Sequence, residues 1–399
     1  MKASIFANSQ PSTRLIFCFG LLALISSLLI YLFYSSNNQA VAPDFYVQWH
    51  GTKVALSGGN PYAAQATLDT QLYLRGAPVP AQDDQLVFVY PLYSVYLSTP
   101  LVWLPLPYEV LAALWMGLLL AGNCTGSWLL LAALDWPSGF LPRLAIFLIV
   151  LLAGPFAACV LLGQMAAGVY VLLCLTFWGL RRHHDGLAGF ALALATVKPT
   201  LVVLVILFCL IWGLFERRGR FLAVFGLTLG LLFLSSLLWR PGWLAEFMAV
   251  TTSYSNFKPV MTGPGFLFEN WPGAGLLAGL LWLVLAGWLV YSWYLAIRGG
   301  QGEFELAFGL SLLMTLLLLP QTNVINTLLL MLPFLLVVRP LARLSWFWLV
   351  LPLPLIIGSW FLQLVVFKVA YGWSIITLPL LLLPFMYQAF RKIISVPQS

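Results

Sequence analysis

The sequence predicts an all-α polytopic membrane protein with about twelve transmembrane helices and interfacial helices in its first external loop. Three observations carry this. The 399 residues are 62% hydrophobic and only 8% charged, well outside the soluble range. Apolar runs of roughly 18–25 residues recur along the chain, each long enough to cross roughly 30 Å of hydrocarbon. Basic residues gather between those runs, as they do in cytoplasmic loops.

The first run, Leu15 to Tyr34, has basic flanks and no small-residue cleavage site, so it reads as a retained anchor. Pro43 to Leu56 follows, apolar at helical spacing through Phe45, Trp49 and Val54, with Asp44 where a helix N-cap would stand. Gly58-Gly59-Asn60-Pro61-Tyr62 closes that helix in a tight turn. Leu86 to Leu104 is apolar, yet it carries Tyr90, Pro91, Tyr93, Tyr96, Pro100, Trp103 and Pro105, which belong at a membrane boundary. It is expected to lie in the interface rather than cross.

Spans are then expected near 15–34, 109–134, 142–162, 165–181, 186–197, 200–215, 220–238, 273–297, 304–319, 324–338, 345–366 and 371–390. Both termini fall on the cytoplasmic side. Both flanks of 186–215 are basic, so this run must turn back on itself at Lys198-Pro199, where proline disfavours helix in the residue before it. This layout puts 13 of the 19 Lys/Arg inside and leaves Lys53, Arg75, Lys198, Arg240, Lys258 and Lys368 outside. The short arm 186–197 must be tilted or partly re-entrant. Residues 1–399 read as one membrane domain, with long external loops at 35–108 and 239–272 and no soluble domain. No internal repeat is visible, which weighs against a repeat-built transporter.

Composition also narrows the chemistry. The net charge of +7 is a topology signal, not a nucleic-acid one. Cys18, Cys124, Cys159, Cys174 and Cys209 all lie in apolar runs and read as buried small hydrophobes. His183-His184-Asp185 reads as a solvated loop. No Cys/His spacing suggests zinc, and Asp83-Asp84 lacks a supporting ligand set, so metal-independent chemistry is expected.

Lys198 is the cation that asks for an explanation. Lysine at the bilayer centre costs roughly 2.5–3.5 kcal/mol on insertion scales. At a broken corner its ammonium is placed to meet an anion, though a lysine snorkelling from a helix end is the plainer alternative. Gln164, at the junction Leu162-Gly163-Gln164-Met165, either bonds a sugar or phosphate or caps a helix. Tyr90, Asn270, Gln321, Asn323 and Asn326 map to the same boundary. Asp44 is either a cap or a base.

Four pieces in order give a resemblance: Asp44-Phe45 running to Pro61-Tyr62; Tyr90-Pro91-Leu92-Tyr93 with Leu104-Pro105-Leu106-Pro107; Gly163-Gln164; and Ala188-Gly189 leading to Lys198-Pro199. Together they resemble the bacterial family 87 glycosyltransferases over roughly residues 14–240. The resemblance implies the polytopic GT-C fold in the bacterial plasma membrane. It also implies a polyprenyl-phosphate sugar donor, classically mannose, used on the extracytoplasmic side. Leu92 and Ala166 depart from the family pattern, which often has proline and asparagine there, and this bears on donor detail.

Under that reading Asp44 is the general base for an acceptor hydroxyl, and the acceptor is a glycolipid, polysaccharide or protein. A phosphate leaving group needs little help from an acid, so one carboxylate suffices. Lys198 anchors the phosphate as a compact point charge, with Gln164, Tyr90, Arg240 and Lys258 around the donor and Asn270 and Asn323 near sugar or acceptor. No cofactor beyond the lipid-linked co-substrate is expected. The competing class is a transporter or flippase for an anionic or lipid-linked substrate, which has little need for a large structured external loop.

Overall fold

The computed structural model describes residues 13–35, 42–136, 139–256, 260–320, 323–342 and 344–394, which contain many helices and no strand. Helix α1 (Thr13–Ser35) leads to a layer of three shorter helices, α2 (Pro43–Leu56), α3 (Ala64–Arg75) and α4 (Val95–Val102). The long helix α5 (Tyr108–Ala133) is followed by α6 (Phe140–Leu152), α7 (Gly154–Leu161) and α8 (Met165–Arg181). Next come α9 (Asp185–Ala195), α10 (Val203–Phe215) and α11 (Gly219–Trp239), then a second layer, α12 (Trp243–Ser253) and α13 (Gly263–Phe268). Helices α14 (Ala274–Arg298), α15 (Gln301–Leu318) and α16 (Met331–Val338) precede the interrupted run α17 (Ser345–Val350), α18 (Pro352–Phe361) and α19 (Phe367–Val369). Helix α20 (Tyr371–Ile394) ends it.

Among the described residues seven helices are long and apolar enough to cross a membrane, eight if α6 and α7 count as one bent span. The protein is a multi-pass membrane protein. Every run read from the sequence is helical, but two are broken. Between α6 and α7 the axis turns by 47°, at Ala153-Gly154 just before Pro155. A proline there has no N–H to extend the incoming helix. The run expected at 345–366 is interrupted at Pro352 and passes through a π-helical turn, Leu362–Val366.

The core gathers around α15, almost wholly buried, while α11 and α14 face mostly outward. Phe304 and Phe308 of α15 meet Phe177 of α8 and Phe208 of α10, with centroids 5.1–6.4 Å apart.

Ion pairs fix which segments share an end of the bundle. Glu305, buried at the start of α15, accepts from Arg181 at 2.8 Å and from Arg339 at 3.1 Å. Arg182 reaches Asp135 at 2.6 Å. Arg218 reaches Asp185 at 3.1 Å, so the run 185–215 returns to the end it left. These are the segments that charge parity places together. At the opposite end Tyr73 donates to Glu109 at 3.3 Å, so the chain on either side of 86–104 lies on one face. The helical part of that run, Leu92–Val102, is far too short to cross. Single cysteines at the exposed positions 83 and 109 should therefore both react with an impermeant maleimide from the same side, and one at 217 only from the other. Opposite labelling of 83 and 109 would overturn this path.

Helix α2 differs from its expected half-exposed form. It is buried at Phe45, Tyr46, Val47, Gln48, Gly51, Thr52 and Ala55, that is, on most of its circumference. The reason is that α3, α4 and the start of α5 all pack around it. Gln48, Thr52, Ser94 and Ser98 form a buried polar ladder between α2 and α4, with Thr52 and Ser98 hydroxyls 2.6 Å apart.

Candidate functional site

Asp44 is not the N-cap of α2. That position is Ala42, held at φ +46, and Asp44 lies in the first turn behind Pro43. The cap comes from elsewhere: the Leu162 carbonyl accepts the Asp44 and Phe45 amides at 3.0 and 3.3 Å. Non-glycine residues seldom adopt positive φ, and such strain persists only where the surroundings enforce it. Here Tyr108 Oη donates to the Ala42 carbonyl at 2.8 Å. The carboxylate of Asp44 is thereby released from capping.

Gly163 makes the docking possible. It sits at φ +69, and a Cβ on it would stand 2.6 Å from the Cβ of Phe45 and 3.0 Å from that of Ala42. Trp115 Nε1 donates to its carbonyl at 3.0 Å, while the Trp115 ring stacks on Phe45 at 5.0 Å. Gly163→Ala should lower stability by roughly 1–3 kcal/mol and push α2 off the corner. Thermal unfolding beside a transfer assay checks this, and wild-type values in both would show the fit to be loose.

Gln164 follows with extended backbone and no capping bond of its own. Its side chain links two distant residues. Nε2 donates to Asp44 Oδ2 at 2.5 Å, and Oε1 accepts from Lys198 Nζ at 3.1 Å. Lys198 stands at the corner between α9 and α10, with φ −130 and ψ 76, outside the helical region as a residue before proline should be. A carboxylate, an amide and an ammonium from three separate corners of the bundle thus form one partly exposed cluster. The same corner is tied to the first layer by Tyr93 Oη, which donates to the Thr196 carbonyl at 3.1 Å.

Tyr90 is buried in the same region, its phenol held well above the usual range first by burial and then by the charge of Asp44. It stays a neutral hydroxyl. Its carbonyl accepts from Tyr62 Oη at 2.8 Å. The field of Asp84 also reaches the Tyr90 phenol. No sequence pattern announces this proximity, which depends on how the loop 76–91 folds back.

The other candidates lie differently. Arg240 is engaged by Glu246 through two bonds of 2.6 Å, and Glu246 also accepts from Asn60 at 3.2 Å. The hydrogen-bonded Arg240 holds Glu246 below the usual carboxylate range, and together they staple α12 to the first layer. Asn323 Oδ1 accepts from the Ile325 amide at 3.1 Å, capping a 3-10 turn (Val324–Leu330) packed on α7. Asn270 is exposed in the turn after α13. Lys258 and Gln321 lie outside the described residues. Among the described residues no three of His, Cys, Asp and Glu converge as a metal site would need.

Residues 88–320, more than half of the chain, match the model of glycosyltransferase family 87. The chain belongs to that family. It is a glycosyltransferase, which leaves the carrier alternative without support. The match includes Tyr90, Gln164, Lys198 and Arg240 and begins after Asp44. No curated protein and no solved structure matches the chain.

Proposed function

We propose that this glycosyltransferase moves a hexose, mannose by preference, from a polyprenyl-phosphate donor to an acceptor hydroxyl at the extracytoplasmic face. The acceptor is a glycolipid, polysaccharide or protein, the fold is of GT-C type, and the membrane is the bacterial plasma membrane. One observation carries the reading: the Gln164 amide spans Asp44 and Lys198 at 2.5 and 3.1 Å. One polar side chain thus gathers a base and a cation at a single site, the two groups that a displacement with a departing phosphate uses.

Asp44 takes the proton of the acceptor hydroxyl as its oxygen bonds to the anomeric carbon. The bond from that carbon to the phosphate oxygen breaks on the far side, inverting the centre. The departing polyprenyl phosphate keeps the electron pair and rests on the Lys198 ammonium, a compact charge with three donors. Tyr90, buried and within the field of Asp44, stays a neutral hydroxyl near the base. The distribution of basic residues supports an extracytoplasmic position for this end of the bundle. A lipid donor suits a cluster at the ends of membrane helices, because its phosphate reaches the boundary while its chain stays in hydrocarbon.

The test is transfer in proteoliposomes from radiolabelled polyprenyl-phosphate mannose, with a nucleotide-linked mannose in parallel. Label should leave the lipid donor and appear in product of opposite anomeric configuration. Transfer from the nucleotide sugar alone would overturn the proposal.

A further inference from the structure

The end of a helix leaves carbonyls without partners, and at α9 the proline after Lys198 makes this acute. In an unbroken helix the Thr196 carbonyl would accept from the amide four residues on. The chain turns at Pro199 before that point, and Thr196 is 5% exposed. The donor comes instead from the first layer, where Tyr93 Oη reaches this carbonyl at 3.1 Å. Tyr93 is itself buried, in the turn Leu92–Ser94 that leads into α4.

The next residue bonds the other way. Ser94 Oγ accepts from Gln48 Nε2 at 3.2 Å, and Gln48 stands one turn after Asp44 on the same face of α2. Two consecutive residues thus join the corner that carries Lys198 to the helix that carries Asp44. Gln164 joins the same two elements through their side chains, at 2.5 and 3.1 Å. The backbone link and the side-chain link together fix the spacing of carboxylate and ammonium.

Helix α12 braces the turn from outside. Trp243, the buried residue of α12, meets the Tyr93 ring edge-on at 6.0 Å and the Phe233 ring at 5.5 Å. Phe247, one turn on, lies 6.4 Å from Tyr62, and Glu246 accepts from Asn60 at 3.2 Å. The rest of α12 is half-buried or exposed, so these contacts hold it against the first layer. A tyrosine that served only as packing for Trp243 would need its ring and not its hydroxyl.

We propose that Tyr93 is a positioning residue for donor binding. Its hydroxyl fixes the backbone from which Lys198 extends, in register with the Asp44 helix, and docked α12 keeps its ring in place. This role rests on Lys198 as the phosphate anchor of the function proposed above.

The experiment measures binding of a non-transferable polyprenyl-phosphate analogue to the full chain. Tyr93→Phe keeps the ring and should bind it about three- to tenfold more weakly, as loss of one hydrogen bond does. In the Lys198→Met background the same change should have no further effect, because no ammonium is left to position. Equal losses in both backgrounds, or wild-type affinity in Tyr93→Phe, would make Tyr93 a packing residue and overturn the proposal. A second variant leaves the buried turn intact. Asn60→Asp keeps the oxygen that accepts from the Tyr62 amide at 2.9 Å but sets a carboxylate against Glu246. It should weaken binding in the same background-dependent way, and adding Glu246→Gln, which supplies a donor there, should recover most of the loss. No loss, or loss without recovery, overturns the bracing by α12. If Lys198→Met binds like wild type, the donor assignment falls and the positioning role with it; if Lys198→Met weakens binding and Tyr93→Phe does not, the positioning role alone falls.

Discussion

Asp44→Asn should cut sugar transfer by at least about a hundredfold, the lower end of what general base catalysis contributes. The substitution is mild in every other respect. Asparagine keeps the side-chain oxygen that accepts from Gln164, and α2 is capped by the Leu162 carbonyl rather than by this side chain. Folding and donor binding should therefore survive while proton acceptance is lost. Asp83→Asn and Glu269→Gln, both exposed carboxylates, are the controls and should leave turnover near wild type. Asp84 is unsuitable as a control because its charge reaches Tyr90. Turnover near wild type in Asp44→Asn would return the residue to a positioning role at the start of the helix.

Lys198→Met should fold and yet bind the lipid-phosphate donor roughly ten- to a hundredfold more weakly. A hydrogen bond to a charged group contributes about 1.5–3 kcal/mol. One of the three ammonium protons goes to Gln164, so the others are available to phosphate oxygens. Methionine keeps the length and apolar stem of the side chain, which separates charge from packing. Binding of a non-transferable polyprenyl-phosphate analogue to the purified protein gives the direct reading. Unchanged affinity would mean that the lysine only snorkels from its corner. The pair of variants should also differ in kind, with Lys198→Met losing donor affinity and Asp44→Asn losing turnover.

Much of the fold is legible in the sequence because membrane insertion is a local property. Length and hydropathy of a run set whether it can span, and flanking charges set its direction. That is why the limits of α8, Met165–Arg181, agree with the expected 165–181, and why the corner at Lys198-Pro199 was visible from a proline following a lone cation. Breaks made by tertiary contact were less visible. At Gly154 the amide donates to Ser359 Oγ at 2.9 Å, a partner 205 residues away, and no local pattern announces it.

The sequence by itself determined the family, the multi-pass helical class and three chemical groups worth watching, Asp44, Gln164 and Lys198. Only the tertiary structure decided that these three meet. Their separations in the chain, 120 residues between Asp44 and Gln164 and 34 between Gln164 and Lys198, carry no distance information. Arg240 and Asn323 have partners close in sequence, Glu246 and the Ile325 amide. A charged or amide side chain takes whichever partner lies within hydrogen-bond reach. Hydropathy sets the depth at which a residue sits, but its neighbours depend on how the helices pack.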